Sequence, residues 1–237
     1  MKDIYNNDCF DVFPLLKNKS VDLVLVDLPY GQTACDWDIK INLVDMWNEL
    51  KRISKDNCQF VFFTTTKYGV ELINSNPKWF KYDLVWEKST NCGFLNTIYM
   101  PLRKHEMMYI FNKVGGVKTY NPQKTPGKPY KVKGQKTDTK TYAQEKVIDH
   151  SNETGDRHPK SVLKFHQNGD KLHPTQKPLE LCEWLIKTYS NEGDLILDFC
   201  MGSGTTIEAC INTNRNYIGI EKDEKIFEVA KKRIWGI

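Results

Sequence analysis

The sequence predicts an α/β fold, and three observations predict it. Short apolar runs bounded by polar residues read as buried strands, the clearest being Val21-Asp22-Leu23-Val24-Leu25-Val26-Asp27. Segments with apolar residues at helical spacing alternate with these runs along most of the chain. Near the end, a strand, a Gly-x-Gly turn, a helix and a second strand ending in an acid follow one another. That succession describes a nucleoside-binding βαβ unit.

At 237 residues the chain suits one large α/β domain or two small ones. Hydrophobic residues at 40% and charged residues at 27% are ordinary for a soluble globular protein. No apolar run approaches the roughly 20 residues needed to span a bilayer. The opening Met1-Lys2-Asp3-Ile4-Tyr5 carries no signal-peptide core, so a cytoplasmic location and no membrane partner are expected. The seven cysteines (9, 35, 58, 92, 182, 200 and 210) form no CxxC pair and do not cluster with the five histidines. No metal site is expected, and the thiols are read as reduced, small apolar residues. The net charge of +4 is uneven: residues 112–172 hold 13 basic and 6 acidic residues, leaving the remainder at −3. Such asymmetry points to a polyanion partner for that segment.

Taken in order, residues 3–7 form a strand-like lead into Asp8, a candidate N-cap backed by Phe10, Val12, Phe13, Leu15 and Leu16. After the 21–27 strand, Pro29 locks its own φ and holds Leu28 extended, and residues 31–40 form a polar loop. Helical spacing over 41–55 turns Val44, Trp47, Leu50 and Ile53 inward. Residues 59–63 are a second buried strand, and Thr64-Thr65-Thr66 leads into a helix ending near Asn74, before Pro77. Third and fourth strands are expected at 83–86 and 105–111, with a returning strand at 161–165. Pro178 opens a helix with Cys182, Leu185, Ile186 and Tyr189 on one face, and Asn191-Glu192-Gly193 stops it. A strand at 195–198 and a helix from about Thr205 follow, with Ile207, Cys210 and Ile211 as its apolar residues. A strand at 217–220 then ends in Glu221, and a last helix over about 223–233 turns Ile226, Phe227, Ala230 and Ile234 inward.

Residues 112–160 break the alternation. They are rich in Lys, Gly, Pro and Thr, with Tyr120, Tyr130 and Tyr142 interleaved. By composition the segment reads as a flexible surface loop. Cations with spaced aromatic rings equally suit a nucleic-acid surface, where they meet phosphates and bases. A loop this long within a compact domain requires a functional reason or partial disorder.

Two places carry candidate chemistry. Asp27-Leu28-Pro29-Tyr30 puts a carboxylate, a carbonyl and a phenol ring on a rigid turn at a strand's carboxyl end, where open α/β sheets bind ligands. Two acceptors can grip the hydrogens of a planar amine while the ring stacks on its plane. Alone, the tetrapeptide reads as readily as an ordinary proline turn. The second place is Asp198-Phe199-Cys200-Met201-Gly202-Ser203-Gly204-Thr205-Thr206, with Glu221 17 residues past Gly204. The glycines permit close backbone approach, and the terminal carboxylate accepts from ribose hydroxyls. The pattern lacks the third glycine of a dinucleotide fingerprint and the Lys-Ser/Thr of a phosphate loop, which favours a nucleoside without a pyrophosphate.

Together these blocks resemble the β class of S-adenosylmethionine-dependent DNA amino-methyltransferases. In that class the amine-gripping motif comes first, a target-recognition segment second and the Gly-rich cofactor motif last, as here. His173-Pro174-Thr175-Gln176-Lys177-Pro178 matches the family's cofactor-side motif, and Asn7-Asp8-Cys9 its short N-terminal one. The resemblance covers the chain outside 112–160. It implies a Rossmann-like methyltransferase sheet with helices on both faces and circularly permuted motif order. The catalytic domain would be 1–111 with 161–237, and 112–160 the basic target-recognition insert.

It further implies S-adenosyl-L-methionine held by Asp8, Asp27, Thr175, Lys177, Phe199, Gly202, Ser203, Gly204, Thr205, Thr206 and Glu221. Asp27, Leu28, Pro29 and Tyr30 would act on a base flipped from double-stranded DNA, without a catalytic cysteine. His173 reads equally as structural, and Lys88, Arg103 and Lys104 as phosphate contacts or solvated cations. A cognate restriction endonuclease and a homodimer are further partners the resemblance allows. The family's usual tetrapeptide is Asp-Pro-Pro-Tyr; here Leu28 replaces the first Pro, and its carbonyl acceptor should survive. A leading Asp, rather than Ser, resembles the adenine-N6 branch. Alternatives are a cytosine-N4 enzyme, an RNA or protein-amide methyltransferase, a non-catalytic DNA-binding subunit and, last, an oxidoreductase.

Overall fold

The computed structural model describes residues 2–31, 40–113, 118–133, 150–166 and 176–236. Cys35, Tyr142, His173 and Thr175 lie outside the described residues. The chain forms two compact units, Met1–Asn121 with Ser161–Ile237, and Pro122–Lys160.

In chain order the elements are β1 (Lys2–Asn6), α1 (Cys9–Val12), β2 (Val21–Asp27), α2 (Leu43–Ile53), β3 (Ser54–Thr64), α3 (Thr66–Ser75), β4 (Phe80–Cys92) and β5 (Arg103–Asn112). After them come β6 (Tyr130–Val132), β7 (His150–Asn152), β8 (Val162–Lys164), α4 (Leu179–Tyr189), β9 (Leu195–Asp198), α5 (Thr205–Asn212), β10 (Asn216–Glu221) and α6 (Glu224–Trp235). The larger unit holds one sheet in the order β1-β10-β9-β2-β3-β5-β4-β8. Strand β5 runs antiparallel to β3 and β4, and the other neighbours pair in parallel.

Strand β2 is central, and its side chains alternate between two cores. Val24 and Val26 face one side, where Met46, Trp47, Leu50 and Ile53 of α2 and Tyr68 and Leu72 of α3 cover them. Leu23 and Leu25 face the other, under Leu181, Leu185 and Ile186 of α4 and Ile207 and Cys210 of α5. Burial on both faces is why this run reads as continuously apolar rather than alternating. Its one interior charge, Asp22, is answered locally: Leu195 N donates to it at 3.0 Å and Lys55 Nζ lies 2.8 Å away. Helices therefore lie on both faces, as expected.

Several details differ from the sequence expectations. Val44 is 67% exposed, and Met46 takes its place on the inner face of α2. At 3.6 residues per turn, Val44 falls about 150° round the helix from the middle of the Met46, Leu50 and Ile53 stripe. Ile211 is likewise exposed. Helix α2 stops at Ile53, because Ser54 turns extended and its hydroxyl donates back to Leu50 O at 2.5 Å. Strand β4 reaches well beyond 83–86, its polar ends carried by the ladder with β5.

Residues 119–121 belong with the larger unit: Gln59 Nε2 donates to Thr119 O at 3.2 Å and Asn121 N to Thr188 O at 2.7 Å. Within the smaller unit β6 pairs antiparallel with β7, and Thr125 and Arg157 exchange backbone hydrogen bonds at 3.0 and 2.8 Å. The Arg157 guanidinium lies 4.8 Å from the Tyr130 ring centroid.

Candidate active site

From the adjacent strands β9 and β2 the chain moves outward in opposite directions, to β10 and to β3. Ligands bind at the carboxyl ends of strands where an α/β sheet makes this switch. A cleft of about 920 Å³ opens there. Asp8, Asp27, Leu28, Pro29, Tyr30, Lys177, Phe199, Gly202, Ser203, Thr205, Thr206 and Glu221 all line it. Gly204 does not: it caps α5 at φ +81°, and a Cβ there would meet Ala230 and Ile234 of α6 at 3.3 and 3.2 Å. The two glycines of the turn thus differ in surroundings. Gly202, at φ +54°, borders the cleft with nothing within 4 Å of its missing Cβ.

On the β2 side, Asp27 ends its strand and Leu28 N donates to Phe63 O at 3.3 Å. The first Pro of the family's usual tetrapeptide could not make that bond, so the departure at Leu28 lengthens the β2–β3 ladder. Lys177 Nζ donates to Asp27 Oδ2 and lies 3.3 Å from Glu106 Oε2, while Lys88 pairs with Glu106 Oε1. Two carboxylates and two ammonium groups alternate along this chain of contacts. Burial alone would lower the Lys177 pKa; Asp27 and Glu106 outweigh it and raise it, so the ammonium stays charged. Burial raises the Asp27 carboxyl, and Lys177 opposes that rise. Glu106 is held below its ordinary value, because Lys177 and Lys88 overcome its desolvation.

On the β9–β10 side, Glu221 Oε2 accepts from Gly202 N at 3.0 Å and Oε1 from Asp223 N at 2.8 Å. The acid that ends β10 therefore braces the Gly-rich turn that follows β9. Asp8 caps α1, accepting from Phe10 N at 2.9 Å, and its other oxygen accepts from Lys222 Nζ at 3.0 Å. Asp198 is buried; desolvation pushes its pKa up to about 7, against hydrogen bonds from the Thr206 hydroxyl and Cys200 N. Arg233 of α6 pairs with Glu208 and donates to Thr205 Oγ1 at 2.8 Å, tying the start of α5 to the last helix.

Sequence reasoning missed Glu106, the pairing role of Lys88, and Arg233. An acid beside His105 at the entrance to the apolar run 107–111 was the available signal for Glu106. Arg233 stood in a polar helix face with nothing to mark it.

A family model described as DNA methylase, the N6/N4 methyltransferase family, matches residues 21–232. The chain belongs to the N6/N4 DNA methylase family. Among its relatives, Type II methyltransferase M1.MboII of Moraxella bovis is 28% identical, covering 96% of this chain and 94% of its own. Type II methyltransferase M.HinfI of Haemophilus influenzae is also 28% identical, over 99% and 68%. The crystal structure of the M1.HpyAVI–SAM complex superimposes with a TM-score of 0.68 at 26% identity, covering 98% of this chain and all of that one. The cytosine-N4-specific PvuII DNA methyltransferase reaches the same TM-score at 15% identity, over 100% and 93%, a likeness of fold.

The methylase acts on DNA amino groups and uses S-adenosylmethionine, whose sulfonium supplies an electrophilic methyl group when bound. The residues present fit that group. Gly202 leaves open space beside the turn, and the half-buried Glu221 carboxylate stands at the cleft wall with acceptor capacity beyond its backbone donors. Among the described residues no helix is long and apolar enough to cross a membrane.

Proposed function

We propose that the methylase transfers a methyl group to the N6 amine of an adenine swung out of duplex DNA at a specific sequence. One observation carries the reading: Asp27, Pro29 and Tyr30 share a single cleft with Gly202 and Glu221, at the switch point of the sheet. A methyl-accepting amine and a nucleoside cofactor can therefore meet there. The leading Asp27, in place of Ser, supports adenine over cytosine.

Asp27 and the Leu28 carbonyl accept the two N6 hydrogens, drawing the nitrogen lone pair out of conjugation with the ring. Tyr30 stacks on the extruded base. The Asp27 carboxylate also stabilises positive charge as it grows on nitrogen. When the methylated amine sheds its proton, Asp27 is the acceptor at hand; Lys177 is already protonated and holds the carboxylate in place. Pro29 fixes the turn that aims these groups.

Glu221 accepts from the ribose hydroxyls, and Gly202, Ser203, Gly204, Thr205 and Thr206 form the turn beneath the nucleoside. Asp8, Lys177 and Phe199 border its two ends. Residues 112–160 serve as the target-recognition insert. Its part in the smaller unit holds nine basic and five acidic residues, the balance that suits a phosphate backbone. The Type II relatives support a restriction–modification setting with a cognate endonuclease.

The test is transfer from labelled S-adenosylmethionine to unmodified duplex DNA by wild type and Asp27→Ala, followed by nucleoside analysis. Label in N6-methyladenine, lost in the variant while the cofactor still binds, is the expected result. Label in N4-methylcytosine would move the target base and keep the site.

A further inference from the structure

The hairpin between β4 and β5 carries an apolar surface that the chemistry above leaves unused. Phe94, Leu95, Ile98, Tyr99 and Met100 are 66, 95, 80, 80 and 57% exposed. Water-facing apolar groups gathered in one short segment mark an interaction surface. The loop is ordered by its own backbone. Asn96 N donates to Gly93 O at 3.0 Å, and Tyr99 N and Met100 N donate to Asn96 O at 2.9 and 3.0 Å. Its side chains are thus presented on a preformed support.

Its position names the occupant. Thr90 and Cys92, at the end of β4, line the cleft, and the loop begins at the next residue. Duplex DNA that delivers a base to Asp27 must press against this rim. Residues 93–102 contain no acid, and Arg103 and Lys104 follow them directly, so apolar tips are joined to cations on the same hairpin. Proteins that open DNA insert apolar side chains between base steps while cations hold the phosphates.

We propose that the 93–102 loop is a wedge that enters the duplex beside the target base and fills the space its extrusion leaves. Ile98 and Tyr99 are its working side chains. This inference rests on the reading of the chain as a base-flipping DNA methylase. It adds what stabilises the flipped state.

The test uses the methylase and the double variant Ile98→Ser/Tyr99→Ser, both sites being exposed and outside the core. Once the methylated position has been located by sequencing, two duplexes of that sequence are compared. One has the target base normally paired; the other has an abasic site opposite it, so that extrusion is already favoured. On the paired duplex kcat/KM should fall by roughly tenfold or more, the order expected when a step's unstacking loses its compensation. On the abasic duplex it should stay within about threefold, and cofactor affinity should not change. Equal losses on both duplexes, or no loss on either, would overturn the wedge. A variant that sediments as a smaller species than wild type would assign the loop to self-association and overturn it as well. Wild type inactive on every DNA would sink the methyl-transfer reading beneath it; wild type active with unselective losses would sink the wedge alone.

Discussion

Lys177 places its ammonium on the carboxylate of Asp27 across 150 residues of chain, and Glu106 shares that ammonium at 3.3 Å. The cofactor-side motif thus reaches over to the amine-gripping one. Neither stretch shows this pairing by itself.

The carboxylate of Asp27 is the form that accepts the amine hydrogens, so activity should fall as pH drops through its pKa. Burial raises that pKa and Lys177 pulls it back. In Lys177→Met the opposition is gone, and the acidic limb of the turnover–pH profile should move to higher pH. Lys177→Arg, which keeps the charge, should leave the limb close to its wild-type position. Turnover measured across pH on duplex DNA decides it; a limb that stays put would deny Lys177 this role.

Glu221 braces Gly202 and Asp223 and is proposed to hold the ribose. Glu221→Ala should weaken S-adenosylmethionine binding by on the order of ten- to a hundredfold, the range for a lost hydrogen bond to a charged group. Titration calorimetry reads this directly. Affinity preserved within about threefold would remove Glu221 from the cofactor site.

Leu28→Pro restores the family's usual tetrapeptide but deletes the donor to Phe63 O and a buried side chain. Urea unfolding should show a loss of about 1–3 kcal/mol. Methyl transfer by the folded variant should remain within a few-fold of wild type, because the carbonyl survives. A collapse of turnover would mean that Leu28 contributes more than its carbonyl.

Asp198 binds its proton more tightly in the folded chain, at about 7 against 3.8 for the free side chain. Its contribution to stability is therefore fully present below about 3.8 and is lost as pH rises towards 7. Asparagine does not titrate. The stability of Asp198→Asn relative to wild type should climb from pH 4 to pH 7 and level off above it. Denaturant midpoints at several pH values, compared pairwise, test the slope; a flat difference would show that Asp198 does not titrate in that range.

Much of the site was legible because its groups sit where short motifs end strands. Asp27 follows six buried residues, Glu221 ends the run 217–220, and Gly202 needs a positive φ that the turn supplies. Gly204 illustrates the limit. It shares a motif with Gly202, yet its missing Cβ faces Ala230 and Ile234, residues of a helix whose approach no local pattern predicts. Val44 shows another limit: its apolar character suggested burial, but its angle round α2 decided otherwise.

By itself the sequence determined the kinds of element, their order, and the carboxylates and glycines at their ends. These follow from local propensities and periodicity, which act over a few residues. Only the tertiary structure decided that β9 and β2 lie side by side, that Lys177 and Glu106 converge on Asp27, and that Arg233 ties α6 to Thr205. Each joins residues far apart in the chain, brought together only when strand pairing closes the core; burial there strips the ions of hydration and strengthens their mutual attraction.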